Sequence, residues 1–428
     1  MSPAESVHYL LSLQPSGIKL GLENMRRLCA ALDHPERSLA CVHIAGTNGK
    51  GSVAAMLDSI LRCAGLRSGL YTSPHLIDFG ERIRVEGRPM APEVLAARVG
   101  ELRVVLQRLA GEGCKPTFFE ATTALAFQAF REAGTGVVVL ETGLGGRLDS
   151  TNVVDPVACA ITRIGMDHQE YLGSTLEAIA KEKAGILKPG RPAVLGEMPG
   201  EAMRVVEARA RELDVTLVHA GNGKPTGWNR REGLQAFTFD GRSWATRLPG
   251  AHQAENAAVV LAMVGILRGL GWTIPDAAIT AGLLAVDWPA RFEIVRHDPP
   301  LVIDGGHNED GIRAALAFWQ ECFGEVPGRI VFASMRDKDL DAMVGLLDRP
   351  GYSIDLVPVD SPRCAPPHEL AARFHQAATR CWDRLAACHA QVRTDPDPAG
   401  TLVLGSLYLA GEWKSLDTAR PHQLGLNA

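Results

Sequence analysis

The sequence lacks the features that mark secreted, membrane-spanning and disulfide-rich proteins. None of its nine cysteines lies in a C-x-x-C pair, and their odd number and scattered positions predict reduced thiols in a cytosolic protein. No apolar run reaches the ~20 residues that a membrane helix needs. The first residues show no basic start followed by an apolar stretch, so we expect no signal peptide and a cytoplasmic location.

The chain also lacks a large excess of either charge. Its 428 residues carry a formal net charge of −5, with 46% hydrophobic and 22% charged residues, which is typical of a globular protein. This balance gives no indication of binding to nucleic acid or to an anionic membrane, although it is compatible with local basic pockets for phosphate or carboxylate. At about 100–200 residues per domain, the length predicts two domains.

Short apolar segments alternate with longer amphipathic ones in the first two thirds of the chain. Residues 137–140 are Val-Val-Val-Leu between Gly136 and Gly143, and residues 158–164 are similar, which predicts buried parallel strands. The amphipathic stretches between such segments predict helices that cover a parallel sheet. Residues 215–248 are polar and turn-rich, so we expect a small antiparallel insertion there.

A second α/β unit is predicted after the break at residues 297–300, whose sequence is His-Asp-Pro-Pro. Apolar runs resume beyond it and alternate with helical stretches, which favours a Rossmann-like domain. We therefore predict an α/β protein with an N-terminal parallel-sheet ATPase domain over 1–296 and a C-terminal domain over 301–428. Within the latter we expect one helix to carry both Cys381 and Cys388 as core residues.

A glycine-rich turn joins the first predicted strand, residues 40–45, to a helical pattern over 50–64. The turn reads Gly46-Thr47-Asn48-Gly49-Lys50-Gly51-Ser52. Glycines let backbone N–H groups point at one anion, and the helix N-terminus adds partial positive charge. A strand, a tight turn and a helix in this order predict a phosphate-binding loop, with Lys50 reaching the β- and γ-phosphates.

The loop departs from the usual G-x-x-x-x-G-K-[ST] pattern. Gly51 stands where a hydroxyl usually holds Mg²⁺, although Ser52 follows. A metal ligand is therefore expected from elsewhere in the chain.

Candidate ligands follow three predicted strands. Glu141 ends the strand 137–140, His168 lies just beyond the next strand, and Ser73 follows a short apolar strand at 69–71. The carboxyl ends of parallel strands form the crevice in which ligands bind. A carboxylate and a hydroxyl supply the oxygen atoms that Mg²⁺ prefers, so the three residues are candidates for one metal site.

Further motifs, in order along the chain, make the sequence resemble the folylpolyglutamate synthase and dihydrofolate synthase family of the Mur ligase superfamily. The resemblance covers nearly the whole chain. Besides the phosphate loop, the motifs that carry it lie at 17–23, 73–76, 81–83, 117–120, 141–149, 167–168, 182–186, 252–257, 291–293, 304–308, 337–339 and 405–408. Other Mur ligases resemble the loop but usually have a hydroxyl residue in place of Gly51.

The resemblance implies an ATP-dependent ligase that adds L-glutamate to dihydropteroate, to the γ-carboxylate of a reduced folate, or to both. It implies ATP and Mg²⁺ as cofactors, with two ions expected, and it implies a monomer. It also implies that Lys183 is carbamylated, which would convert a cation into a carboxylate-like ligand for the second ion. The residue pattern alone does not single out this lysine, because an isolated lysine on a helix is normally solvated.

The resemblance also implies roles for individual residues. Catalysis is assigned to Lys50, Lys183 and His307, and the first Mg²⁺ to Ser73, Glu141 and His168. Nucleotide contacts are assigned to Asn48, Gly49, Lys50, Gly51, Ser52, Asn256, Arg291 and Asp304. Substrate contacts are assigned to Thr117, Phe118, Phe119, Glu120, Leu148, Asp149, Ser150 and Ser406, with Phe119 stacking on a pterin ring, Asp149 accepting from its amino edge, and His307 and Ser406 contacting glutamate.

Three positions depart from the family pattern. Ser150 and Gly306 stand where alanine is usual, and Ala290 stands where glycine is usual. Ser150 adds a hydroxyl beside the implied pterin site, so it bears on the identity of the acceptor rather than on the ligase chemistry.

Three other functions remain open at the level of sequence. The chain could be a Mur-type ligase that adds an amino acid to a UDP-linked cell-wall precursor, or a phosphotransferase or NTPase that forms no amide. It could also be a nucleotide sensor without catalysis, although Lys50, Glu141 and His168 argue against that reading. Incubation with each class of acceptor separates these functions.

Overall fold

The computed structural model describes residues 1–13, 21–221, 223–229, 231–324 and 326–418. Residues 17–20 of the motif at 17–23 lie outside the described residues, as do Asn222 and the last ten residues of the predicted C-terminal domain.

The N-terminal domain is built on an eight-stranded sheet. Its strands are β1 (Cys41–Ala45), β2 (Ser68–Tyr71), β3 (Ile83–Val85), β4 (Arg88–Pro89), β5 (Val137–Glu141), β6 (Ala158–Ile161), β7 (Ala193–Leu195) and β8 (Leu217–His219). They lie in the order β4-β3-β2-β5-β1-β6-β7-β8, and all pair in parallel except β3 and β4. The predicted parallel sheet is thereby confirmed, with an antiparallel edge that the sequence did not predict.

Helices cover both faces of this sheet. They are α1 (Pro3–Leu11), α2 (Glu23–Ala31), α3 (Lys50–Cys63), α4 (Pro92–Gly111), α5 (Phe118–Ala133), α6 (Gln169–Leu172), α7 (Leu176–Ala184), α8 (Gly200–Glu212), α9 (Ala251–Gly269) and α10 (Asp276–Ala285). One core joins α3, α9 and α10 to the sheet, and another joins α1, α2, α4 and α5 to it. All five residues of the central strand β1 are consequently buried, as a parallel strand between two helical layers requires.

A three-stranded antiparallel sheet confirms the predicted insertion. It consists of β9 (Lys224–Asn229), β10 (Leu234–Phe239) and β11 (Arg242–Thr246), in the order β11-β10-β9. Phe237 of β10 is fully buried in the same core as α9, so the insertion packs onto the N-terminal domain.

The C-terminal domain contains a six-stranded mixed sheet. Its strands are β12 (Glu293–His297), β13 (Pro300–Ile303), β14 (Arg329–Phe332), β15 (Ser353–Leu356), β16 (Ala378–Cys381) and β17 (Thr401–Leu404), and its helices are α11 (Glu309–Phe323), α12 (Leu340–Leu347), α13 (Pro367–Ala371), α14 (Leu385–Thr394) and α15 (Leu407–Thr418). The order is β12-β13-β17-β14-β15-β16, and only β12 is antiparallel. The predicted α/β class of this domain is confirmed.

Two expectations about this domain need revision. The break at 297–300 contains the turn between β12 and β13, which pair with each other, and Ala290 and Phe292 bind Gly305 and Asp304, so we propose to divide the domains before Ala290. The helix expected to carry two cysteines carries only Cys388, which is buried, whereas Cys381 is exposed at the end of β16. Among the described residues, no helix combines the length and the apolar character needed to cross a membrane.

Candidate functional site

The turn between β1 and α3 has the geometry of an anion-binding loop. Gly49 stands at the N-cap of α3 with φ of 86°, in the left-handed region, and a Cβ at this position would lie 2.2 Å from Asn256 Oδ1. Lys50 Nζ donates to the carbonyl oxygens of Gly46 at 3.0 Å and Thr47 at 3.2 Å. The ammonium group is therefore held over the loop, where a phosphate would lie.

Side chains far away in the sequence support this loop. Thr162 Oγ1 donates to the carbonyl oxygen of Asn48 at 2.7 Å, and Gln253 Nε2 lies 3.3 Å from Ser52 Oγ. Neither Thr162 nor Gln253 was predicted to take part in the site. Thr162 follows the end of β6 and Gln253 lies on α9, and both come next to the loop only when the chain folds, so their roles could not be inferred from the local pattern.

Gly51 lies against the indole of Trp288, whose nitrogen is the nearest atom to it. A Cβ on Gly51 would be 3.0 Å from Nε1 of Trp288. This close approach gives a physical reason for glycine at a position where a metal-binding hydroxyl is usual, because even a small side chain would press on the indole.

Adding a methyl group at Gly49 is expected to weaken nucleotide binding about tenfold, since about 1.4 kcal/mol corresponds to a factor of ten. The Gly49→Ala side chain would clash with Asn256 and hold a left-handed backbone. The control Gly65→Ala has the same backbone strain, with φ of 75°, but no atom within 4 Å of the new methyl group. Calorimetry with ADP should show weak binding only for Gly49→Ala; equal affinities would contradict the prediction.

The loop opens into a cavity of about 450 Å³ between the two domains. Many of the predicted site residues line this cavity together. They are Asn48, Gly49, Lys50, Gly51, Ser52, Ser73, Glu141, His168, Lys183, Asn256, Arg291, Asp304 and His307. Because the last three belong to the C-terminal side and the others to the N-terminal domain, the structure brings the predicted nucleotide, metal and catalytic residues into one space.

The three candidate metal ligands face this cavity from separate strand ends. Glu141 Oε2 accepts a hydrogen bond from the Ser73 backbone N–H at 3.2 Å. Burial raises the pKa of Glu141, and the nearby charge of Lys50 opposes that rise. Burial also lowers the pKa of His168 to about 3, so its imidazole is neutral at pH 7 and able to donate a lone pair.

This donor set fits a hard divalent cation that also binds phosphate oxygens. Among the described residues, no group of three or more His, Cys, Asp or Glu side chains is placed to hold a metal ion. The hydroxyl of Ser73 and oxygens from a bound nucleotide would therefore have to complete the coordination begun by Glu141 and His168.

Lys183 is buried, with only 4% of its surface exposed. Its Nζ donates to the carbonyl oxygen of Gly46 at 2.8 Å. Burial, followed by the charge of Lys50, lowers the pKa of Lys183 to about 7. A substantial fraction of this amine is thus uncharged near neutral pH, which distinguishes it from an ordinary helix lysine.

The segment that leads into the C-terminal domain aims Arg291 at the cavity. Ala290 and Phe292 on either side have φ of 57° and 46°, both left-handed. Asp304 accepts from the backbone N–H groups of Phe292 and Gly306, each at 2.7 Å. The left-handed backbone at Ala290 explains why glycine is usual there, because glycine adopts it without strain.

His307 also faces the cavity. Its Nδ1 lies 2.9 Å from the carbonyl oxygen of Gly305, and burial lowers its pKa to about 4. A neutral histidine at this place offers a lone pair that can accept a hydrogen bond from a substrate group.

The predicted acceptor residues lie in a second region, which does not line the main cavity. Thr117 and Glu120 cap α5 reciprocally, with Thr117 N–H donating to Glu120 Oε2 at 2.7 Å. The Phe119 ring centroid lies 6.1 Å from that of Tyr71, and Phe118 is buried. Leu148 and Ser150 flank Asp149 in the chain.

Asp149 is buried, and both of its carboxylate oxygens accept hydrogen bonds from the chain. Oδ2 accepts from the backbone N–H groups of Gly143 and Leu144, each at 2.9 Å, and Oδ1 accepts from Thr151 N–H at 3.0 Å. Asp149 therefore shapes the turn after Glu141. Ser406 is likewise buried, and its hydroxyl accepts from Tyr408 N–H at 3.0 Å.

Comparison with known proteins agrees with this arrangement. The model of the Mur ligase middle domain matches residues 44–264, and that of the Mur ligase, glutamate ligase domain matches residues 290–407. The chain is 37% identical to the dihydrofolate synthase/folylpolyglutamate synthase of Bacillus subtilis over 365 residues, which are 82% of this chain and 83% of the relative.

Two further relatives extend the comparison. The chain is 37% identical over 427 residues to a probable bifunctional folylpolyglutamate synthase/dihydropteroate synthase of Haloferax volcanii; the match covers 95% of this chain but spans about half (50%) of that relative. The structure of E. coli FolC in complex with DHPP and ADP superposes with a TM-score of 0.85 at 30% identity, covering 98% of each chain.

Proposed function

Because the chain belongs to the folylpolyglutamate synthase and dihydrofolate synthase family of Mur ligases, we propose that it joins L-glutamate to a folate-type acceptor with ATP. The acceptors in this proposal are dihydropteroate and the γ-carboxylate of a reduced folate. The observation that carries the proposal is the single cavity in which Lys50, Glu141 and Lys183 of one domain face Arg291 and His307. Since both domains of one chain build this cavity, we also propose a monomer; a cytoplasmic location stays a prediction from the sequence.

The reaction begins with activation of the acceptor, because a carboxylate is a poor electrophile. Its oxygen attacks the γ-phosphorus of ATP, the bond to ADP breaks, and an acyl phosphate forms. Lys50 and the N–H groups of the loop at 46–52 hold the phosphates and oppose the negative charge of the transferring group. Bound Mg²⁺, held by Ser73, Glu141 and His168, would supply further charge neutralisation on the phosphate oxygens.

The amine of the incoming glutamate then attacks the acyl carbon, the amide bond forms and inorganic phosphate leaves. Two groups of the C-terminal domain are suited to this step. His307 is neutral and can accept a hydrogen bond from the attacking amine. Arg291 supplies a fixed positive charge beside the cavity. Ser406 is buried just before α15, and we propose that it contacts the glutamate.

We further propose that Lys183 is carbamylated. Its uncharged amine attacks the carbon of CO₂, forms an N–C bond and loses a proton, which leaves a carbamate with one negative charge. The lowered pKa of Lys183 supports this step because the neutral amine is the nucleophile. A carbamate in the cavity would provide the carboxylate-like ligand for a second Mg²⁺, which Lys183 as an ammonium ion cannot provide.

The acceptor would extend from the cavity past the turn at 143–146 towards Phe119. We propose that Phe119 stacks on the pterin, while residues Thr117 and Glu120 fix the start of α5 from which Phe119 projects. Asp149 binds the chain through both oxygens, so it could meet a pterin amino group only by sharing an oxygen that already accepts from Gly143, Leu144 or Thr151.

One assay tests the proposed function. The protein is incubated with Mg-ATP, radiolabelled glutamate and one acceptor at a time: dihydropteroate, tetrahydrofolate or a UDP-linked cell-wall precursor. We expect labelled product with at least one pterin acceptor and one ADP per amide formed. Product only with the UDP-linked precursor would contradict the proposal, as would ADP release that is independent of glutamate.

A further inference from the structure

A buried ion pair joins the two domains beside the cavity. Lys338 lies between β14 and α12 of the C-terminal domain, and its Nζ is 2.6 Å from Oδ1 of Asp167, between β6 and α6. The side chains are only 8% and 7% exposed. Water therefore screens this attraction weakly, and loss of either charge would leave the other buried without compensation.

Other contacts cross the same cleft but differ in character. Arg163 and Asp310 form an ion pair at 3.4 Å with side chains 44% and 40% exposed. Exposed pairs of this kind contribute little, because water and salt screen them. The Asn48–Asn308 hydrogen bond, at 3.0 Å, carries no charge. Among the contacts across the cleft in the described residues, the Lys338–Asp167 pair is thus the one whose loss has the largest electrostatic consequence.

The same oxygen of Asp167 also fixes the backbone of His168. Oδ1 accepts a hydrogen bond from His168 N–H at 2.8 Å. His168 has φ of 50°, a left-handed conformation that is unfavourable for a residue with a side chain. Asp167 Oδ2 lies 3.8 Å from His168 Nε2 and 3.7 Å from His307 Nε2. Lys338 is therefore connected through one carboxylate to two histidines of the cavity.

We propose that Lys338 is a positioning residue that, through Asp167, holds His168 in place for metal binding when the domains are closed. The inference rests on the proposed function. It means that the metal site of the N-terminal domain is completed by a cation from the C-terminal domain. Open domains would leave Asp167 without Lys338, so the carboxylate that accepts from His168 N–H would be less firmly held.

Two consequences follow for the reaction. Phosphoryl transfer depends on a correctly placed metal ligand, so it is favoured only after closure. The acyl phosphate then forms where water is already excluded, which protects it from hydrolysis. A variant without the Lys338 charge should consume ATP less efficiently and should also waste part of it.

The test compares Lys338→Met, which removes the charge, with Lys338→Arg, which retains it. The first readout needs no turnover: the Mg²⁺ concentration at which half of a non-hydrolysable ATP analogue is bound, measured by calorimetry. Because groups that orient metal ligands typically contribute 10–100-fold to metal affinity, we expect Lys338→Met to require about tenfold more Mg²⁺. Lys338→Arg should restore most of the loss.

The second readout is the number of ADP molecules released per glutamate incorporated. It should rise above one for Lys338→Met and return towards one for Lys338→Arg. The control Asp310→Asn removes the exposed pair across the same cleft and should leave both readouts within about twofold of the wild type, as expected of a screened pair.

Lys338→Met with wild-type Mg²⁺ dependence and wild-type ADP ratio would overturn the proposal, and so would equal effects of Lys338→Met and Asp310→Asn. If Lys338→Met does not fold, Lys338→Gln, which keeps a donor without charge, gives the same comparison. Failure of the proposed function is separate, since it would appear as absence of labelled product in the wild type while the Mg²⁺ dependence of analogue binding stays measurable.

Discussion

Glutamate ligation is expected to fall by at least about 100-fold when Glu141 is replaced by glutamine, the size of effect seen when one preorganised charge-stabilising group is lost. Replacement by alanine should abolish amide formation as well. The reason is that Glu141 is a buried carboxylate that lines the cavity together with Lys50 and the other two candidate metal ligands. Glutamine keeps the shape and the acceptor for Ser73 N–H but cannot neutralise a cation. Initial rates with saturating Mg-ATP measure the effect.

The Glu141→Gln variant should be at least as stable as the wild type. Burial raises the folded-state pKa of Glu141, so ionisation penalises the folded state once the pH exceeds the unfolded pKa. At pH 7 glutamine removes that penalty, and the thermal midpoint of Glu141→Gln should be equal to or above that of the wild type. Glu93→Gln, at an exposed position of α4, is the control for activity and should leave turnover unchanged. Near-full turnover of Glu141→Gln would refute the metal assignment.

Lys183→Ala is the second substitution with a large expected effect, a loss of about 100-fold or more in turnover, consistent with removal of one charge-stabilising group. If the functional group is a carbamate, a small carboxylic acid such as acetate should enter the vacated space and restore part of the activity. Lys181→Ala, on the same helix but exposed, should behave as the wild type with or without acetate. Full activity of Lys183→Ala, or rescue by methylamine in place of acetate, would contradict the carbamate.

Carbamylation should depend on pH in a definite direction. The pKa of Lys183 is about 7, so the uncharged amine becomes more abundant as pH rises through 7. At constant dissolved CO₂, the carbamate should accumulate above this pH and disappear below it. Carbon-13 NMR with labelled bicarbonate detects the carbamate directly, and Lys183→Arg serves as the negative control because arginine stays protonated. The pH values 6 and 8 lie about one unit on either side of the pKa of Lys183. A carbamate signal of equal intensity at both would contradict the assignment.

Local sequence patterns predicted the candidate site residues that lie at the end of a strand or in the turn that follows it. The loop at 46–52 follows β1 directly, and Glu141 ends β5, so their positions follow from the rule that parallel strands end at one crevice. Parallel pairing of β1 with β5 and β6 then brings Glu141 and His168 to the loop. The two-domain α/β class followed from the same alternation of apolar and amphipathic segments.

Features that depend on long-range packing were not predictable in this way. Thr162 and Gln253 support the loop only because β6 and α9 pack beside it. The burial that shifts the pKa of Lys183 is a property of the folded core, so a helix lysine gave no local signal. Strand β12 precedes the His-Asp-Pro-Pro segment but belongs to the second sheet, because it pairs with β13. The sequence shows where the chain turns, but it does not show this pairing.

The connection between the domains decides which residues move together. The carbonyl oxygen of Ala290 accepts a hydrogen bond from Gly305 N–H at 2.9 Å, and the N–H of Ala290 donates to Glu293 Oε2 at 2.9 Å. The N–H of Phe292 donates to Asp304. Residues 290–293 are therefore anchored to the C-terminal domain, and a rotation between the domains would have to pivot before Ala290. Arg291 would then travel with the C-terminal domain as a fixed part of it. The distance between the Arg291 guanidinium and the phosphate loop would therefore measure directly how far the enzyme has closed.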